Sequence, residues 1–178
     1  KPGHPYLQRK GLEFGALPEG IAQIGGDIVV PLYDVHGQIW NRQSISPTGE
    51  KRFLPGRKRE CFFEIHGDGR NVYLVEGLAT GLSVQQATGA TVVVCFDCGN
   101  LRPVASALAS RYAGRMVIAA DNDRKTQGNP GVRSAAAISE EMEIPFVTPP
   151  FSDGEDGSDW NDYAPLHGIE AAADEIGR

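Results

Sequence analysis

Two short apolar runs in this chain end on carboxylates: residues 72–75 run into Glu76-Gly77, and residues 116–120 into Asp121-Asn122-Asp123. On an extended backbone residues i and i+2 point to the same side, so Asp121 and Asp123 would offer their carboxylates together. Such a pair suits a small, hard cation such as Mg²⁺, which takes oxygen ligands from a few carboxylates and completes its shell with water and phosphate oxygens. Glu76 would supply a third carboxylate. Read alone, an Asp-x-Asp is more often a polar loop that caps a helix. A later cluster, Gly157-Ser158-Asp159-Trp160-Asn161-Asp162, adds weight, because Trp160 and Tyr163 can anchor Asp159 and Asp162 while Asp153, Glu155 and Asp156 read as solvated surface.

Positioning these acids requires a sheet whose strands all end on one side. After Arg70 the pattern alternates, with fully buried strand candidates at 72–75, 91–96, 116–120 and, more weakly, 146–148. Helical spacing fills the gaps at 78–88, stopped by Gly89, at 101–112 with Asn100 as N-cap and Pro103 in the first turn, and at 132–142. Alternation of this kind predicts an α/β fold, a parallel sheet with helices on both faces, whose ligand crevice lies at the carboxyl ends of the strands. Before Arg70, residues 27–67 predict an antiparallel meander, with turns at Asp34-Val35-His36-Gly37 and Ser46-Pro47-Thr48-Gly49 and a last strand at 61–65. A short helix is expected at 4–12. The domain division expected is a small basic unit, 1–70, followed by the α/β domain, 71–178.

Charge divides the chain at the same place. The whole carries −6, but residues 1–70 hold ten Lys or Arg against eight acids and residues 71–178 seven against fifteen. Arg42, Lys51, Arg52, Arg57, Lys58 and Arg59 face only Glu50 in their stretch, a local patch suited to phosphates. Within it Trp40 or Phe53 would stack on a base, or else fill the core. Arg124 and Lys125, next to the Asp-x-Asp, would touch phosphate or balance nearby acids. Thr80 and Gly81 open a helix whose amides could meet a phosphate, and Asp97 and Asn100 stand at another strand end.

The three acidic motifs resemble the TOPRIM domain shared by bacterial primases, type IA and II topoisomerases and some nucleases: Val75-Glu76-Gly77, Asp121-Asn122-Asp123 and Asp159-Trp160-Asn161-Asp162 stand in that family's order over residues 71–163. The resemblance implies acid/base or metal-binding work for Glu76, Mg²⁺ (or Mn²⁺) on Asp121 and Asp123, and Asp159 on a second ion. The preceding segments His4-Pro5-Tyr6-Leu7, Arg9-Lys10-Gly11-Leu12, Val29-Val30-Pro31-Leu32-Tyr33-Asp34 and Lys51-Arg52-Phe53-Leu54-Pro55-Gly56 look like the N-terminal subdomain of plasmid and phage-type primases. That implies a DNA primase core from a mobile element, catalysing nucleotidyl transfer from nucleoside triphosphates on a single-stranded DNA template. A replicative helicase would be met through domains outside this chain. A TOPRIM nuclease, using the same acids with water, and a non-catalytic nucleic-acid-binding module stay open as alternatives. The loop at 124–130 is longer than the step common in replicative primases.

Composition narrows the rest. With 40% hydrophobic residues the chain can bury a core, and it has no run of eighteen apolar residues and no basic-then-apolar leader, so a cytoplasmic protein without a membrane span is expected. Three cysteines, Cys61, Cys95 and Cys98, make no disulfide framework. The Cys95-Phe96-Asp97-Cys98 spacing lacks the second pair that zinc needs, so no zinc is expected; Cys95 reads as a buried strand residue, and His4 and His36 as surface.

Overall fold

A computed structural model describes residues 3–12 and 17–177. Helix α1 (Pro5–Arg9) leads into a four-stranded antiparallel sheet in chain order, β1 (Ala22–Ile24), β2 (Asp27–Tyr33), β3 (Ile39–Ile45) and β4 (Lys51–Phe53). The Ser46-Pro47-Thr48-Gly49 turn forms as expected: Gly49 N donates to Ser46 O at 2.9 Å. Gly49 takes a φ of +92°, which its lack of a Cβ permits.

A five-stranded sheet follows, built from β5 (Phe63–Ile65), β6 (Val72–Val75), β7 (Thr91–Val94), β8 (Met116–Ala119) and β9 (Phe146–Val147) in the order β5-β7-β6-β8-β9. β6, β7, β8 and β9 pair in parallel; β5 pairs antiparallel with β7. Here the structure departs from the meander reading. β5 leaves the N-terminal sheet and forms an edge of the second one, bridged back to β2 through the Tyr33–Phe62 pair. The sequence marked a strand at 61–65, closing on Gly67, but carried no information about its partner.

Helices cover both faces, as the alternating pattern requires. The buried residues α3 (Cys98–Leu108) and α4 (Pro130–Met142) share with Leu74, Val93 and Ile118 form one core layer. The opposite layer joins α2 (Leu78–Thr88), α5 (Trp160–His167) and α6 (Ile169–Ile176) to Tyr6, Leu7, Ile28, Val30 and Ile45 of the N-terminal unit. Gly81 serves packing: a Cβ there would sit 3.0 Å from a Val94 methyl and 3.1 Å from a Val75 methyl, so any larger residue makes those side chains give way.

Two further expectations are corrected. His4 is buried, not on the surface; its Nδ1 accepts from Tyr6 N (3.2 Å), capping α1, and its Nε2 meets Gly26 O at 2.7 Å. The N-cap of α3 is Asp97, and Asn100 lies inside the helix, buried. Asn100 Oδ1 accepts from Glu60 N (2.8 Å), and Nδ2 donates to Cys61 O (2.9 Å) and Cys95 O (2.8 Å), tying the 58–61 segment to the end of β7. Asn100→Ala would leave those backbone groups buried and unpartnered, at about 2–4 kcal/mol of stability. Thermal unfolding checks this; a melting temperature unchanged from wild type would contradict the assignment.

No helix among the described residues is long and apolar enough to cross a membrane.

Candidate active site

In a sheet of this order β6 is central, with β7 on one side and β8 on the other, so the chain reverses direction across the sheet between them. A crevice opens at such a switch point, beyond the carboxyl ends of the strands. Glu76 directly follows β6 and Asp121 lies just beyond β8. Both line one cleft of about 300 Å³, together with Asp159, Asp97, Gly77, Thr80, Phe96 and, from the N-terminal unit, Tyr6, Lys10 and Lys51.

The electrostatics are those of crowded, half-desolvated carboxylates. Burial and then the charge of Asp123, with Asp97 and Asp159, push the Glu76 carboxyl up to about 7. Burial and then Glu76, with Asp159 and Asp123, raise Asp121 to about 8, with Lys51 acting in the opposite sense. Asp159 is raised too, by burial and by Asp162. Glu76 Oε1 and Asp121 Oδ1 are buried without any hydrogen-bond partner. Buried acceptors are almost always satisfied, so two such oxygens in one cleft fit a ligand that brings positive charge.

Oxygen donors of this kind suit a hard divalent cation. Among the described residues no three His, Cys, Asp or Glu side chains converge on a single point. Asp123 lines a neighbouring cleft with Arg124, Lys125, Ser158 and Asp162.

The acidic loops are held from outside the cleft. Asn122 N donates to Ser158 O (2.5 Å), its Nδ2 to Pro149 O (3.1 Å), and its Oδ1 accepts from Asn129 Nδ2 (2.9 Å), so the residue between the two aspartates fixes both flanks. Asp159 caps α5 by accepting from Asp162 N at 2.8 Å. Arg124 spends its guanidinium on Phe151 O, Ser152 O and Glu155 O, a staple between two loops, and Lys125 pairs with Asp156.

The basic residues divide along β4 by the two-residue alternation of a strand. Lys51 points inward to the cleft, near the N-terminus of α2, where its Nζ lies 3.8 Å from where a Gly77 Cβ would be. Phe53 also turns inward, edge-on to Phe96 with ring centres 6.0 Å apart. Arg52 projects to the other side, across from Ser44 on β3 and beside exposed Arg42. Arg57, Lys58 and Arg59 occupy the exposed loop after β4.

Sequence reading passed over Asn161 and Lys10. Asn161 is buried; its Nδ2 donates to Lys10 O (2.8 Å) and Ser83 Oγ (3.0 Å), and Lys10 Nζ lies 3.6 Å from Asp162. These contacts lock α1, α2 and α5 together at the cleft wall. A polar residue between Trp160 and Tyr163 was the sole signal, and its partner lies 151 residues away in the chain.

A mostly parallel α/β sheet with three acidic loops at its carboxyl edge defines a class, and the chain belongs to it: it is a member of the TOPRIM family, whose Toprim domain model matches residues 71–170. Among curated proteins it is similar to two described as DNA primase TraC from Escherichia coli, 37% and 34% identical over 164 residues. Each similarity takes in 85% of this chain, whereas the chain spans 15% and 11% of those two relatives. Of solved structures, it is similar to the primase fragment of the bacteriophage T7 primase-helicase protein (TM-score 0.60, 16% identity, 97% of this chain and 68% of that one). It is likewise similar to a DnaG primase catalytic domain bound to single-stranded DNA (TM-score 0.60, 15% identity, 97% and 72%). At these identities the likeness is one of fold.

Proposed function

We propose that this chain is the catalytic core of a DNA primase: an enzyme that acts on DNA and joins nucleotides into short primers on a single-stranded template. The observation that carries the reading is the meeting of Lys51, from the N-terminal sheet, with Glu76, Asp121 and Asp159 in one cleft. A cation facing the acids suits a triphosphate held against them. Similarity to TraC primases over both units supports the same choice. The division of labour follows charge: residues 71–178 provide the acids, residues 1–70 the cations.

Primer extension is attack of a 3′-hydroxyl on the α-phosphate of a nucleoside triphosphate, with pyrophosphate leaving. Mg²⁺, or Mn²⁺ in its place, would be held by Asp121 and Asp123, with Asp159 at a second position and Glu76 alongside; when bound it neutralises phosphate charge and eases ionisation of the hydroxyl. Glu76 Oε1, free of partners, is placed to take the hydroxyl proton, and its raised pKa suits a group that must exchange protons near neutrality. Lys51 and the amides at the start of α2 meet the triphosphate. Arg42, Arg52, Arg57, Lys58 and Arg59 hold the template backbone. By analogy with the T7 primase-helicase, a helicase is the expected macromolecular partner.

The test is primer synthesis on single-stranded DNA with Mg²⁺ or Mn²⁺ and labelled nucleotides. Wild type is expected to make short products, and Glu76→Gln and Asp121→Asn to lose them by about 10²-fold or more. Metal-dependent cleavage of DNA without synthesis would assign the cleft to a nuclease instead.

A further inference from the structure

Among the exposed large apolar side chains of the described residues, Trp40 is the one aromatic ring, 48% exposed on β3. A single exposed indole is ordinary on a protein surface; what sets this one apart is that it is held still. Its Nε1 donates to Asp34 Oδ2 at 2.7 Å, while Asp34 Oδ1 accepts from His36 N (2.9 Å) and Gln38 N (3.0 Å), so the anchor is itself fixed in its turn. The loop beside it is fixed too: Asn41 Nδ2 donates to Leu54 O (3.0 Å) and Arg57 O (3.2 Å).

That loop carries cations onto rings in succession. The Arg57 guanidinium lies 4.9 Å from the centre of the Trp40 ring, and Lys58 Nζ lies 4.6 Å from the centre of Phe53. Phe53 meets Phe96, and Phe96 lines the acid cleft. A file of flat rings and cations thus runs from the outer face of the N-terminal sheet to the rim of the site. Residues 39–60 hold Arg42, Lys51, Arg52, Arg57, Lys58 and Arg59 against Glu50 and Glu60. This excess complements a polyanion rather than an ordinary protein surface, and single-stranded nucleic acids pair a phosphate chain with stackable bases.

We propose that Trp40 is a base-stacking platform for single-stranded DNA, placing one template base outside the cleft while Arg57 and Lys58 lead the backbone along the 54–60 loop to Phe96. The proposal deepens the primase reading and rests on it for the direction of the strand. A ring whose orientation is already set loses little freedom on binding; with Arg57 over one face of the indole, the base takes the opposite face or displaces the guanidinium.

The chain has two tryptophans, and Trp160 is 1% exposed, so emission that responds to a ligand at the surface reports Trp40. A twelve-residue oligothymidylate is expected to quench that emission, and an abasic strand of equal length to bind without quenching. Trp40→Ala should weaken oligothymidylate binding about 5- to 100-fold at unchanged salt dependence. Trp40→Phe, which keeps a ring but gives up the Nε1 donor to Asp34, should bind more tightly than Trp40→Ala, and any fall in its melting temperature reports the lost hydrogen bond. Arg57→Gln should instead lower the slope of log affinity against log salt by about 1. Equal, unquenched binding by wild type and Trp40→Ala would overturn the platform and leave template binding standing. Failure of wild type to bind any strand would overturn both readings. Emission that follows self-association and ignores the oligonucleotide would mark a protein-docking surface and equally end the proposal.

Discussion

Asp121→Asn is expected to stabilise the metal-free protein at pH 8 and to abolish its stabilisation by Mg²⁺. Burial and the neighbouring acids move Asp121 from 3.8 to about 8 and Glu76 from 4.5 to about 7. A carboxyl whose folded pKa lies above its unfolded value binds more protons in the native state between those two values. Stability is therefore full below about pH 4 and falls as pH rises through the folded pKa values, towards pH 8. An amide at 121 carries no charge, removes one member of the repelling set, and can donate towards Glu76. The gain at pH 8 should be about 1–3 kcal/mol, which for a chain of this size is a rise in melting temperature of roughly 3–10 °C. Wild type should recover as much when Mg²⁺ is added at about 100 times its dissociation constant, worth about 2.7 kcal/mol by mass action. Melting curves at pH 5 and pH 8, with and without Mg²⁺, decide the matter. A wild-type protein indifferent to both pH and Mg²⁺ would show that the carboxylates do not form the strained cluster described.

Such a cluster was legible because its parts obey local rules. Fully buried parallel strands are short apolar runs, and the first polar residue beyond each is the one that meets solvent at the sheet edge; Glu76 and Asp121 follow from that alone. Helix α2 runs over the residues its pattern marked, stopped by Gly89 in the left-handed conformation, with φ +65°. What escaped depends on tertiary contact. His4 reads as a loop residue until Gly26 O is brought to its ring, and Asn100 reads as a cap until Cys61 and Cys95 surround it. The six basic residues look like one patch in sequence. Period-two alternation separates Lys51 from Arg52, but nothing in the local pattern says which of them faces the acids. Phe96 gave no warning of its φ of +73°, a conformation unfavourable for a bulky residue and located at the rim of the cleft.

Gly131→Ala carries the largest steric consequence in the molecule's acid site. Gly131 lies in the first turn of α4, following Pro130, where helix propensity alone would make alanine the better residue by about 1 kcal/mol. The contacts reverse that sign. A Cβ at 131 would stand 2.4 Å from Asp121 O and 3.0 Å from Glu76 Oε1, and the first of these is backbone that cannot rotate away. Either α4 or the Asp121 loop must move. Asn129, the N-cap of α4, holds Asn122 Oδ1, so movement of the helix start also loosens the residue between Asp121 and Asp123. The expected cost is about 2–4 kcal/mol of stability, in the range for overpacking a close-packed contact, with at least a tenfold loss of Mg²⁺ affinity by calorimetry. Ala136→Gly, at an exposed position of the same helix, isolates the propensity effect and should cost about 1 kcal/mol while leaving Mg²⁺ affinity unchanged. If Gly131→Ala instead stabilised the protein and bound Mg²⁺ as wild type does, α4 would not press on the site. The close approach of its first turn to Glu76 and Asp121 would then have no part in shaping the cleft.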